Sequence, residues 1–271
     1  MNERNQGKVV ILMYHNIENN NSEISIQDRP YVLREQQFEK QMNFLYNQGY
    51  RVISLTDFVN WHKNKLMPSN GKYIILSFDD GHISNYSKAF PILNKYGFKA
   101  IFFVIVGAIN KPGMLSWKQI MEMADSGMEI GSHTLTHRPP SQLTKEELKF
   151  ELSESKKILE YHLEREIKFI SSPTGYHNKL IGKVAKEVGY EAVCIGKIGS
   201  NNINSDLFSL KRIAIKRNHS LSIFRSLVKL HPNIFLYYKM SEIFRDFMKR
   251  LLGFKIYETT RRHLLNFKKK M

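Results

Sequence analysis

Cysteine is nearly absent: Cys194 is the only one among 271 residues. No intrachain disulfide can form, and a zinc site built on thiolates is excluded, so any metal held here must sit on histidines and carboxylates. Long apolar runs are missing too, since no stretch approaches the roughly 20 residues needed to span a bilayer. The first apolar run, in "MNERNQGKVVILMYH", is short and reaches Tyr14 and His15 without a small-residue cleavage site. The sequence therefore predicts a cytoplasmic protein. Acidic residues are in deficit, 25 against 41 Lys and Arg, which leaves a net charge of +16. Such an excess argues for an anionic partner, whether nucleic acid, a membrane surface or a phosphorylated ligand. No aromatic-basic recognition motif accompanies it, so a nucleic-acid partner would rest on charge alone.

What remains is an ordinary globular composition, 42% hydrophobic and 24% charged. One joint recurs: a helical stretch, a glycine, an apolar residue, then a strand-like run, at Gly49, Gly97, Gly127 and Gly189. Glycine just past a helix supplies the left-handed residue that ends it. Helix starts are marked as well, by the capping boxes Ser116/Gln119 and Thr144/Glu147. Phe38, Met42 and Leu45 form the apolar stripe of an early helix. Strands are expected at 9–14, 51–54, 73–78, 100–106, 129–132, 167–170, 192–195 and 210–215. Several are continuously apolar, as in a parallel sheet covered on both faces. The alternation favours a barrel of seven or eight β/α units over an open doubly wound sheet for residues 1–235, with closure left open by spacing alone, and a basic amphipathic helical extension follows over residues 236–271.

In such folds the ligand site lies at the carboxyl ends of the strands. Two adjacent carboxylates, Asp79 and Asp80, fall there in "ILSFDDGH". Like charges side by side at the end of a buried strand make sense if a cation sits between them or one carboxyl holds a proton. The plainer alternative is a turn at Asp80-Gly81 with Asp79 capping the next helix. His15, the pair His133 and His137 in "GSHTLTH", and the run Ser171–Gly175 fall at the same end. Histidines four apart can point the same way from a helical turn or a tight loop, and with one carboxylate they form a triad of ligands.

Together, "SFDDG", "SHTLTH" and "SSPTGY" resemble the first three motifs of the polysaccharide deacetylases, the NodB-homology or carbohydrate esterase family 4 domains. The lead-in "ILMYHNI" and the segment "FEKQMNFLYNQGYRVISLTDF" are similar to the branch acting on poly-N-acetylglucosamine and related exopolysaccharides. The resemblance covers residues 9–230 and implies a distorted β/α barrel that hydrolyses an acetamide on an N-acetylated amino sugar. It implies that Asp80, His133 and His137 hold one divalent ion, zinc by preference, which lowers the pKa of a water from about 15.7 toward roughly 7. Asp79 would be the general base, and Thr174 would give a main-chain oxyanion contact. His15, Pro173, Gly175 and Tyr176 would line the sugar cleft.

The third motif departs from the common R-x-P-Y-G pattern: Ser171 stands where the arginine belongs and Thr174 where the tyrosine does. Without that arginine, Asp79 is expected to be more basic and less firmly oriented. The family's later motifs are not evident, and His219 is the late histidine that could serve as general acid. Three other readings stay open: a carbohydrate-binding protein of the same fold without activity, a non-haem iron enzyme, since two histidines and a carboxylate suit Fe(II) as well, and a nucleic-acid module. At the end of the chain, Ile243, Phe244, Phe247, Met248, Leu251 and Leu252 recur at helical spacing. Ten Lys or Arg stand against three Asp or Glu between Lys239 and Met271. This stripe either packs on its own domain or lies on an anionic membrane, as would suit an enzyme of lipid-linked sugars.

Overall fold

The computed structural model describes residues 7–18, 30–68, 71–175 and 178–252. Among these the strands are β1 (Val9–Tyr14), β2 (Ile17–Glu18), β3 (Leu33–Arg34), β4 (Arg51–Val52), β5 (Tyr73–Phe78), β6 (Ile101–Val104), β7 (Glu129–Ser132), β8 (Phe169–Ser171), β9 (Ala192–Cys194) and β10 (Ile213–Ala214). The α-helices are α1 (Glu35–Asn47), α2 (Leu55–Asn64), α3 (Phe90–Lys95), α4 (Trp117–Asp125), α5 (Lys145–Leu163), α6 (Lys179–Val188), α7 (Leu221–Val228) and α8 (Pro232–Leu252).

Eight strands form one parallel sheet in the order β10-β1-β5-β6-β7-β8-β9, and β4 pairs with β5 off that path. The two apolar runs, β1 and β5, pair in register along their whole length, from Val9 opposite Tyr73 to Tyr14 opposite Phe78. On its other side β5 pairs with β4 at Tyr73 and Ile74 and with β6 at Ser77 and Phe78. A parallel bridge between Cys194 and Leu210 ties β9 to the segment that leads into β10, so the row curls round as a distorted barrel. The last strand is shorter than its apolar run suggests: the Arg212 amide bonds to the Lys197 carbonyl, and only Ile213 and Ala214 pair with β1.

The joints form as read. Gly49, Gly97, Gly127 and Gly189 all have positive φ. Ser116 and Thr144 accept hydrogen bonds from the amides of Gln119 and Glu147 as capping boxes, and Ser54 does the same with Asp57. Phe38, Met42 and Leu45 are fully buried.

Strand alternation sorts the core into two clusters. Val10, Leu12, Tyr14, Ile74, Leu76 and Phe78 face the helices. Val9, Ile11, Tyr73, Ile75, Phe103, Phe169 and Leu210 face the barrel interior, joined by Leu55, Phe58 and Val59 of α2. By the same period of two, Ser77 and Asp79 continue the inward column of β5, Ser171 that of β8, and Arg212 that begun at Leu210. The expected boundary at 235/236 falls inside α8, whose Ile234, Phe235 and Tyr238 pack on the core.

Candidate active site

At the carboxyl end of β5 the chain turns sharply, because Asp80 (φ 76) and Gly81 (φ 76) are both left-handed. This conformation disfavours any side chain, and a non-glycine residue held in it marks a position the surroundings dictate. The turn separates the two carboxylates. Asp79 points into the barrel and is buried, whereas Asp80 faces the loop after β7, which carries both histidines.

That loop, residues 133–137, is a tight loop rather than a helical turn. Thr134 (φ 65) and His137 (φ 61) are also left-handed. The His137 amide donates to Thr134 Oγ1 at 3.1 Å, and Glu151 of α5 accepts from both the amide and the hydroxyl of Thr136. The fold thus aims both imidazoles at one carboxylate oxygen. His133 Nε2 lies 3.3 Å and His137 Nε2 3.7 Å from Asp80 Oδ1. The ligand atoms of Asp80, His133 and His137 all lie within 4.8 Å of one another.

The donor set fits a divalent cation. His133 Nδ1 is 2.8 Å from the Ser171 carbonyl, which can only accept, so Nδ1 carries a proton, and in the neutral ring the Nε2 lone pair would face Asp80. Burial disfavours a charged His133, yet the two aspartates outweigh it and raise its pKa. For His137, burial and the neighbouring His133 prevail and push it down to about 4. Burial also works against the charge of Asp80, but the histidines hold its carboxyl well below the usual carboxylate range.

Asp79 has a partner that the sequence reading missed. Arg212, fully buried, donates Nη1 to Asp79 Oδ1 at 2.7 Å and Nη2 to Oδ2 at 2.8 Å. Nη2 also donates to Ser171 Oγ at 2.8 Å, and the Ser171 hydroxyl donates on to Asp79 Oδ2 at 3.1 Å. The remaining donors reach the Ile195 carbonyl and Ser77 Oγ. All five guanidinium N–H groups are therefore used. The expectation of a more basic, loosely held Asp79 is corrected. Burial alone would raise its pKa, but Arg212 and His133 hold it below the ordinary value, and a two-pronged ion pair fixes its orientation. Of the carboxylate's roughly four lone-pair sites, three are occupied by these bonds, and the fourth, on Oδ1, has no hydrogen-bond partner among the described residues.

The other expected residues are divided. His15 sits within electrostatic reach of Asp79, Asp80 and His137, and its ring lies 4.9 Å from Tyr31. Its Nδ1 is buried without a hydrogen-bond partner among the described residues. Thr174 (φ 58) and Gly175 (φ 66) make the turn after β8, with Pro173 buried beside them. A Cβ on Gly175 would stand 2.7 Å from Gly196 Cα, so no other residue fits. Tyr176 lies outside the described residues. His219 does not join the group. Its ring is buried 5.1 Å from that of Tyr238, Nδ1 takes the Lys216 amide, and burial aided by Lys216 pushes its pKa down to about 4. None of the interactions found for it reaches Asp79, Asp80, His133 or His137. A histidine kept neutral and remote in this way is poorly suited to donate a proton in the cleft.

Comparisons with known proteins bear on the family. The sequence profile "Polysaccharide deacetylase" matches residues 67–193. YxkH of Bacillus subtilis (strain 168), assigned by name to the polysaccharide deacetylases, is 31% identical over 224 residues, which is 82% of this chain and 76% of that one. This chain belongs to the polysaccharide deacetylase family. By family it is a hydrolase of non-peptide carbon–nitrogen bonds. The peptidoglycan-N-acetylglucosamine deacetylase of Bacillus cereus is 33% identical over 139 residues, covering 51% of this chain and 61% of that relative. The poly-beta-1,6-N-acetyl-D-glucosamine N-deacetylase of Staphylococcus aureus is 29% identical over 173 residues, covering 59% of each. The chain thus spans about three fifths of these two relatives. Among solved structures, the Streptococcus pyogenes deacetylase PplD in complex with acetate superposes with a TM-score of 0.74 at 28% identity, over 83% of this chain and 98% of that one. Because the matched profile ends at residue 193, Arg212, which stands just before the last strand and clamps Asp79, lies beyond it.

Proposed function

We propose that this polysaccharide deacetylase removes the acetyl group from an N-acetylated amino sugar of a bacterial surface polysaccharide or its lipid-linked precursor, releasing acetate. The observation that carries the reading is the division of labour between neighbouring carboxylates, one aimed at two imidazoles and the other clamped by Arg212. The activities named for the Bacillus cereus and Staphylococcus aureus relatives, and the acetate held by PplD, support the same substrate class.

In this reading Asp80, His133 and His137 hold one divalent cation, zinc by preference. Bound there, such an ion would supply Lewis acidity to the acetamide carbonyl and to a water. Asp79, kept ionised by Arg212, takes the water's proton on its free Oδ1 site, a contribution typically of about 10²–10⁴-fold. Ser171 passes the Arg212 contact on to Oδ2 and so keeps the carboxylate from rotating. The Thr174 amide donates to the oxyanion as it forms, and its left-handed turn fixes the direction of that N–H. His15, whose ring lies beside that of Tyr31 and within electrostatic reach of both aspartates, lines the sugar cleft. Arg212 also weakens the case for an inactive carbohydrate binder, since it supplies the cation that Ser171 lacks.

The reading predicts acetate release from oligomers of N-acetylglucosamine, abolished by a chelator and restored by stoichiometric zinc. Release that continues after the metal is stripped would refute the cation's role. Failure of a metal-loaded, folded protein to release acetate from soluble, polymeric and lipid-linked N-acetylated glycans alike would refute the activity.

A further inference from the structure

Helix α8 carries a face that no other described element covers. Its inward side is fixed by Ile234, Phe235 and Tyr238, which pack on the core, and by Glu242, whose Oε2 accepts the Ile198 amide at 2.8 Å. At about 100° per residue the opposite side is a continuous apolar ridge, Leu236, Met240, Ile243, Phe247 and Leu251, flanked by the aromatic rings of Tyr237 and Phe244. Each of these is more than half exposed, from 52% for Ile243 to 67% for Tyr237. The ridge fills a sector of about 120° pointing directly away from the domain. Scattered exposed apolar residues are normal, but one ridge of this length marks an interaction surface.

Charge selects the occupant. From Lys239 to Met271 the chain carries ten basic and three acidic residues, and the whole protein is at +16. Pairing two copies through this helix would bring strongly like-charged segments together, whereas an anionic lipid surface complements them. The geometry suits lying on a bilayer rather than crossing it, since no helix among the described residues is long and apolar enough to span one. We infer that α8 is an interfacial helix that lays its apolar ridge into an anionic lipid surface, with the basic residues beyond Gly253 adding electrostatic attraction. The helix also touches the loop leaving the carboxyl end of β10, through Tyr238 against His219 and Lys216. Lipid binding by α8 does not depend on the catalytic reading.

The test is co-sedimentation of the full-length protein with vesicles of phosphatidylglycerol and phosphatidylcholine, or of phosphatidylcholine alone. Each basic residue near an anionic surface strengthens partitioning about fivefold. The expected result is binding to the anionic vesicles that weakens as salt is raised, little binding to the neutral ones, and a loss on the order of tenfold or more for the double variant Phe244→Ser, Phe247→Ser. Both positions are exposed, so the variant should keep its fold, checked by circular dichroism and zinc binding. Equal binding by variant and wild type, or no binding to anionic vesicles, would overturn the inference. So would a wild-type dimer in sedimentation velocity that the double variant dissolves, which would assign the ridge to a second copy of the chain.

Discussion

Exchanging Arg212 for methionine is expected to abolish acetate release and to destabilise the protein by about 3–5 kcal/mol, the usual cost of leaving one member of a buried ion pair uncompensated. The side chain is fully buried and makes five hydrogen bonds, two of them to Asp79. Acid should narrow the gap between the two proteins. Burial works against the Asp79 charge and Arg212 overcomes it, so the folded pKa is depressed. A depressed carboxylate contributes stability that is fully present above its unfolded pKa of about 3.9 and is lost as the pH falls through the lower folded value. Below about pH 4 the wild type therefore loses a contribution that the variant never had. Urea unfolding of both proteins across that range measures it. A second variant separates the guanidinium's chemistry from its packing. Adding Ser171→Arg to Arg212→Met returns the cation to the position where the common family pattern has it, and partial recovery of turnover is expected. A stable, fully active Arg212→Met protein would show that Asp79 needs no clamp.

The second large effect belongs to Asp79. Its replacement by asparagine should lower turnover by about 10²–10⁴-fold, the span expected for loss of a general base, while leaving zinc affinity nearly unchanged, because the atoms that could hold the ion belong to Asp80, His133 and His137. Steady-state acetate release at saturating glycan measures the first, and calorimetry the second. A loss expressed in KM alone would assign Asp79 to substrate binding instead.

These consequences were unevenly legible in the sequence. The apolar runs of β1 and β5, the glycine joints and the capping boxes are local signals, and each appears where its residues dictate. The Asp80, His133 and His137 set was readable because two short motifs follow strands of one parallel sheet, whose carboxyl ends share a face. Arg212 was not singled out, because its partner lies 133 residues away and the strand that follows it contributes only two paired residues. A physical signal was nonetheless present in "LFSLKRIAI": a charge inside a strand-like apolar run, two residues past the inward-facing Leu210, has to meet an opposite charge in the barrel. Strand alternation leads to Asp79, four residues past Ile75 on the same interior face. His219 misled for the converse reason. Its place after the last strand suggests the cleft, but Tyr238 of α8 covers it, a long-range contact that no local pattern announces.

Central to the proposed mechanism is that Asp80 binds the cation while its neighbour Asp79 does not. Zinc titration calorimetry on the wild type, Asp79→Asn and Asp80→Asn proteins, each confirmed as folded, tests this directly. One tight site is predicted in the wild type and in Asp79→Asn, and none of comparable affinity in Asp80→Asn. Loss of the site in folded Asp79→Asn, or its retention in Asp80→Asn, would contradict the division of roles between the two aspartates.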